Sequence, residues 1–114
     1  MQHIAFATGN LFETVKRLRG NGVKLLPVPE YYYEDLEEKF DIPVDLLNAL
    51  KANSVLYDRD GSDEYFQIYT ETFDDRFFFE IVERRGYQGF GAGNAAIRLA
   101  AQSREAKFAE VLRR

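Results

Sequence analysis

The stretch DDRFFFEIVERRGYQGFGAGN, residues 74–94, decides how the rest of the chain is read. Phe77, Phe78 and Phe79 run into Glu80, and Ile81 and Val82 then resume the apolar run. Aromatic and β-branched side chains suit a pleated surface, so FFFEIVERR predicts a strand. On the period-two rule Phe78, Glu80 and Val82 share one face, while Phe77, Phe79 and Ile81 share the other. Two readings of Glu80 follow. Either its face is solvated and only the odd-numbered residues are core, or it is buried beside Phe78 and Val82. A buried carboxylate needs a partner or a bound cation to offset its desolvation.

Beyond this strand, GYQGFGAGN carries glycines at 86, 89, 91 and 93. Their spacing fits neither the dinucleotide-binding fingerprint nor a phosphate-binding loop, which needs a glycine-lysine step. The segment reads as a turn-rich link that lets a terminal helix, Asn94 to about Leu112, fold back on the sheet. Ile97, Leu99, Ala100, Phe108, Val111 and Leu112 supply that helix's apolar positions. The pattern allows either a lid or a helix that is merely packed.

Working toward the N-terminus, EYFQIYT and SVLYD are predicted strands joined by the turn RDGSD. The aspartates of DRDGSD, Asp58, Asp60 and Asp63, do not fit a calcium loop, because the glycine is misplaced and no bidentate glutamate follows. Residues 30–51 change to helical period, giving two short helices, YYYEDLEEKF and PVDLLNALKA, with Pro43 in the first turn of the second. Tyr31, Tyr32 and Tyr33 are expected to anchor this insertion to the core. VKLLPVP is predicted as a short strand that the proline at its end either places at an edge or turns out of the sheet. A helix capped by Asn10 and ending at Gly20 or Gly22 precedes it, and QHIAFA opens the chain as a strand. In that strand His3, Ala5 and Ala7 share one face, with Ile4 and Phe6 on the other. The order of elements predicts an α+β fold in one domain spanning residues 1–114.

Composition narrows the partners. A net charge of −4 and a pI near 5.0 argue against nucleic acid, which needs a basic face. The absence of cysteine excludes a disulfide scaffold, a thiolate metal site and a cysteine nucleophile. No apolar run reaches membrane-spanning length and the start does not read as a signal peptide, so a cytoplasmic protein with no membrane partner is expected.

Few residues are left to carry chemistry. His3 is the one histidine in the chain, and with Glu80 it supplies part of a two-histidine, one-carboxylate iron site without completing it. Gln67, on the same strand face as Tyr65 and Tyr69, and Gln2 are candidates for orienting a polar ligand. For both glutamines simple solvation is the alternative.

Taken in order, QHIAFAT, YYYEDLEEKF, QIYT, FFFEIVERR and QGFGAGN resemble the C-terminal part of 4-hydroxyphenylpyruvate dioxygenases. In particular they resemble the dioxygenase-like domain fused behind 3-dehydroshikimate dehydratases in some bacteria. The resemblance implies a vicinal-oxygen-chelate fold, as in glyoxalases and bleomycin-resistance proteins, built from paired βαβββ modules. It implies oxidoreductase chemistry at a non-haem Fe(II), or another divalent metal, held by two histidines and a glutamate. His3 matches the second histidine and Glu80 the glutamate. Gln2 and Gln67 match glutamines that line the substrate pocket, and Asn94 matches the asparagine that opens the lid helix.

The same resemblance marks two departures. The first histidine lies in a module preceding the one matched here, and nothing in these 114 residues replaces it. Ala95 stands where the dioxygenases have a phenylalanine that packs on the aromatic substrate, a loss on the order of 1 kcal/mol of ring packing. The departure at Ala95 argues against hydroxyphenylpyruvate as the substrate.

Three functions are compatible with these residues. The chain is half of a paired-module dioxygenase acting on a 2-oxo acid and inactive as an isolated monomer; or a homodimer in which two copies share a His/Glu metal site; or a non-catalytic module that binds a small aromatic ligand or a protein partner.

Overall fold

The computed structural model describes residues 2–73, 76–87, 94 and 97–103, with the backbone alone of Gln2. The first strand, β1, spans Gln2–Ala7, and α1 follows at Leu11–Gly20. Two further helices, α2 (Glu30–Lys39) and α3 (Val44–Ala52), precede the strands β2 (Leu56–Asp60), β3 (Asp63–Tyr69) and β4 (Phe77–Arg85). The four strands form one sheet in the order β1-β4-β3-β2. β1 runs parallel to β4, while β2–β3 and β3–β4 are antiparallel. This is the predicted α+β module, a mixed sheet entered through a helical crossover.

α1 starts where the side chain of Asn10 accepts a bond from the Glu13 amide at 3.2 Å. A second acceptor comes from far along the chain: Glu83 Oε1 takes the Leu11 N–H at 2.7 Å. Two donors that any helix leaves unpaired at its first turn are thereby satisfied. The helix lays Leu11 and Val15, both fully buried, on the sheet face that carries Phe66, Ile68 and Ile81. Phe12 meets the Phe66 ring edge-on with 5.9 Å between centroids.

VKLLPVP does not form the predicted strand. It makes one bridge, Leu25 to Thr70, flanked by Leu26 N–H to Tyr69 O at 2.8 Å and Glu71 N–H to Lys24 O at 3.0 Å. Pro27 and Pro29 have no N–H to extend the ladder. Pro43 caps the following helix from outside its first turn. Tyr32 and Tyr33 are buried and anchor the insertion as expected, whereas Tyr31 is exposed. The Tyr33 hydroxyl lies 3.2 Å from Leu50 O and 3.0 Å from Val55 O, tying α2 to the end of α3. RDGSD is a hairpin turn: Asp60 pairs with Asp63, and Gly61 takes a positive φ of 62° at the first loop position.

β4 resolves the two readings of Glu80's face. Phe78 and Val82 are buried, while Phe77 and Phe79 are half-buried, so the even-numbered face is not the solvated one. Glu80 lies half-buried between two core residues. Asn94 and residues 97–103 are helical. Asn94 and Ala101 are buried and Ile97 and Arg98 half-buried, a stripe at i, i+3, i+4 and i+7 that faces the protein. Leu99 and Ala100, expected among the apolar contacts, fall between these positions and are exposed. Phe108, Val111 and Leu112 lie outside the described residues, as does the link from Gln88 to Gly93.

Candidate metal and ligand site

The register of the central parallel pair positions the two predicted metal ligands. His3 lies opposite Phe78 and Ala5 opposite Glu80, so His3 and Glu80 share a sheet face as diagonal neighbours on adjacent strands. The imidazole stacks on the Phe78 ring at 5.5 Å between centroids and 17° between planes. Ala5, with only a methyl group, leaves the space beside the Glu80 carboxylate open. His3 and Ala5 are exposed, so this end of the face is open to a ligand.

Across the other side of β4, Gln67 and Tyr69 of β3 occupy the same face. Gln67 is 1% exposed and its amide is fully engaged. Its Nε2 donates to Glu80 Oε2 at 3.1 Å and to the Tyr69 hydroxyl at 2.7 Å. Its Oε1 accepts from Asn94 Nδ2 at 2.7 Å. Asn94 Oδ1 in turn accepts from the Tyr32 hydroxyl at 2.8 Å, and that hydroxyl accepts the Tyr57 N–H at 2.8 Å.

These bonds have one consistent direction. A backbone N–H can only donate, so Tyr32 must pass its own hydrogen onward, to Asn94 Oδ1 or to the Tyr57 carbonyl at 2.9 Å. Asn94 then presents its amide hydrogens to Gln67, and Gln67 presents its hydrogens to Glu80. The chain delivers a hydrogen-bond donor to Glu80 Oε2. Tyr69 also interacts with this carboxylate. Burial, and then the negative charge of Glu80, push the Tyr69 phenol well above its ordinary range. The same two causes, in the same order and opposed by Arg84, push Tyr65 up to about 12. Both phenols therefore stay protonated near neutral pH.

The sequence brought forward His3, Glu80, Gln67 and Asn94, and the fold gathers all four on or against one sheet face. The side chain of Gln2 and the position of Ala95 lie outside the described residues. Tyr69, Tyr32 and Arg98 were not singled out as site residues. Tyr69 was legible in the period-two pattern beside Gln67, whereas Tyr32 reaches the chain of bonds from α2, a contact no local pattern encodes. The Arg98 guanidinium lies over the rings of Phe78 and Tyr69, at 5.2 and 5.7 Å from their centroids.

The donor set fits a divalent metal in part. An imidazole and a carboxylate are two members of the facial triad that holds non-haem iron. Among the described residues no cluster of three or more histidine, aspartate or glutamate side chains is placed to hold a metal. A separate cleft of about 220 Å³, lined by Tyr32, Leu36, Phe40, Asp58, Asn94 and Ile97 among others, includes no residue of β1 or β4 and so lies away from His3 and Glu80. No described helix is long and apolar enough to cross a membrane.

No protein-family model matches the chain. Over 106 residues it is 47% identical to 3-dehydroshikimate dehydratase of Pseudomonas putida, a match covering 91% of this chain and 17% of that protein. Over 97 residues it is 41% identical to 4-hydroxyphenylpyruvate dioxygenase of Legionella pneumophila, covering 82% and 28% of the two chains. Among solved structures, a xylose isomerase-like TIM barrel/4-hydroxyphenylpyruvate dioxygenase fusion protein superposes with a TM-score of 0.84 at 48% identity, covering 90% of this chain and 17% of that one. A mutant of 4-hydroxymandelate synthase from Streptomyces coelicolor gives 0.80 at 34% identity, covering 92% and 30%. The chain spans between 17% and 30% of these longer proteins. It is a homologue of a segment of each, and the resemblance read from its motifs is borne out.

Proposed function

We propose that this dioxygenase-like module forms one wall of a divalent-metal site, Fe(II) foremost, to which His3 and Glu80 contribute the two ligands of this chain. The observation that carries the reading is the β1–β4 register, which brings the one histidine and a half-buried carboxylate to one open face. Residues 1–114 act as half of a paired-module domain, and the third donor comes from a partner module or a second copy related by a two-fold axis. A partner at this edge is supported by Ile4 and Phe6, 45% and 52% exposed on the edge strand β1 and facing away from His3, an apolar surface of the kind another chain or module covers. When bound, the metal supplies a Lewis-acidic centre with open positions for O₂ and a 2-oxo acid or small aromatic ligand.

The residues of this chain hold and orient. Gln67 and Tyr69 fix the rotamer of Glu80, and Asn94 fixes the direction of the Gln67 amide. Phe78 supplies the plane on which His3 rests. Two protein ligands retain iron weakly, so the isolated monomer is inactive in this account.

Titration with Mn²⁺, followed by broadening of backbone amide NMR signals, tests the reading. Broadening should concentrate on residues 3–5, 67–69 and 78–82. His3→Ala or Glu80→Ala should weaken it at least about tenfold. Broadening confined to the exposed acidic residues of α2, unchanged in both variants, would overturn the assignment.

A further inference from the structure

One charge stands where the fold calls for an apolar side chain. Arg98 lies on the inward stripe formed with Asn94, Ile97 and Ala101, while Leu99 and Ala100 point outward. A cation in such a position is costly unless something pairs with it. Among the described residues Arg98 has no salt bridge, and its buried Nε has no hydrogen-bond partner. The contacts it does make, over the rings of Phe78 and Tyr69, engage the flat face of the guanidinium. Among the described residues the Nε–H of that fork has no acceptor, and the fork matches a planar oxyanion.

The location of Arg98 connects it to the rest of the face. Phe78 is the ring on which His3 stacks, and Tyr69 shares Gln67 with Glu80. We infer that Arg98 is an anion-recognition residue of this face, and that the ligand taken there is a diacid: a 2-oxo acid whose second carboxylate pairs with Arg98. The class of ligand rests on the metal reading above, in which the 2-oxo acid end faces His3 and Glu80. The recognition of an anion by Arg98 does not need the metal: it stands on an Nε–H that no described residue pairs.

The test compares 2-oxoglutarate with 5-methyl-2-oxohexanoate, which replaces the far carboxylate by an isopropyl group of the same heavy-atom count. Both acids are titrated into the protein with and without Zn²⁺, and the Arg98 Nε–H and backbone signals are followed by NMR. The diacid is expected to bind about tenfold tighter or better and to shift the Arg98 Nε–H signal. Arg98→Met should abolish the preference without lowering the thermal midpoint, because an unpaired buried donor leaves with the side chain. Arg98→Lys should restore part of the preference.

Equal affinity for the two acids, a preference that survives Arg98→Met, or no binding of either acid up to about 10 mM would overturn the inference. A fall in the midpoint of Arg98→Met with the preference unchanged would assign Arg98 to ring packing and overturn it too. The metal reading fails separately. If Zn²⁺ and His3→Ala change the affinity of neither acid while the diacid preference persists, Arg98 stands and the metal site falls.

Discussion

Replacing Asn94 by aspartate tests the direction of the hydrogen bonds that run from Tyr57 to Glu80. The Nδ2 group of Asn94 donates to Gln67 Oε1 at 2.7 Å, and the two residues are 6% and 1% exposed. Asn94→Ala removes the donor and leaves a buried acceptor unsatisfied, a loss of about 1–3 kcal/mol. Asn94→Asp places a second acceptor, carrying charge, against the first. At neutral pH its cost should reach about 3 kcal/mol or more. A chain of 114 residues has a stability of roughly 6–17 kcal/mol, so the effect is a large share of the whole. Turning the Gln67 amide over moves the conflict without removing it, because its oxygen would then face Glu80.

The pH dependence follows from the sign of the shift. The introduced carboxyl can donate to Gln67 only when protonated, so its folded pKa is raised above the unfolded value near 3.9. The stability it contributes is fully present below about pH 4 and is lost as pH rises through the folded pKa. Urea unfolding followed by circular dichroism should therefore show a smaller deficit, relative to the parent, at about pH 5 than at about pH 8. A variant within about 0.5 kcal/mol of the parent at the higher pH, or with the same deficit at both, would refute the assigned direction.

Burial pushes the Tyr32, Tyr33, Tyr57 and Tyr69 phenols above the ordinary range and Tyr65 to about 12. The stability these groups contribute is present below about pH 10 and lost as pH rises through the folded values, so tyrosinate absorbance should appear together with alkaline unfolding; tyrosinate from these five residues in a folded protein at pH 10 would contradict it. Glu83→Ala removes the carboxylate that takes the Leu11 N–H and should cost about 1–2 kcal/mol by urea unfolding, while Glu83→Gln keeps an acceptor there and should cost less. Equal losses in the two variants would refute the capping role. Tyr69→Phe removes the hydroxyl that meets Gln67 and Glu80, and should weaken Mn²⁺ binding about tenfold while leaving the β3–β4 register unchanged by amide NMR. Unaltered metal affinity would remove Tyr69 from the site.

The strands and helices were legible wherever a short-range period marked them. FFFEIVERR appears as β4 with the predicted bounds, and Asn10 caps α1. VKLLPVP satisfies a strand pattern with its apolar residues, but its prolines limit pairing to one bridge, so the segment leaves the sheet instead of forming a full strand. The face of Glu80 was undecided on alternation alone. Its burial depends on the helix that places Asn94 and Arg98 over β3 and β4, a contact between distant segments. Arg98 stayed silent in the sequence for a related reason. Ile97, Leu99 and Ala100 were grouped by hydrophobicity, but helix phase selects Asn94, Ile97, Arg98 and Ala101 as the inward set. The Tyr32–Asn94–Gln67–Glu80 chain joins four elements, and only Gln67 and Glu80, on the successive strands β3 and β4, are predictable as neighbours.

The most direct test of the central claim is metal content by elemental analysis on protein of measured oligomeric mass, for the parent chain and for Glu80→Ala. A divalent metal should be retained in species that complete the site, about one per pair of modules, and lost on Glu80→Ala with the fold intact. Equal metal content in the parent and in a folded Glu80→Ala variant would contradict it.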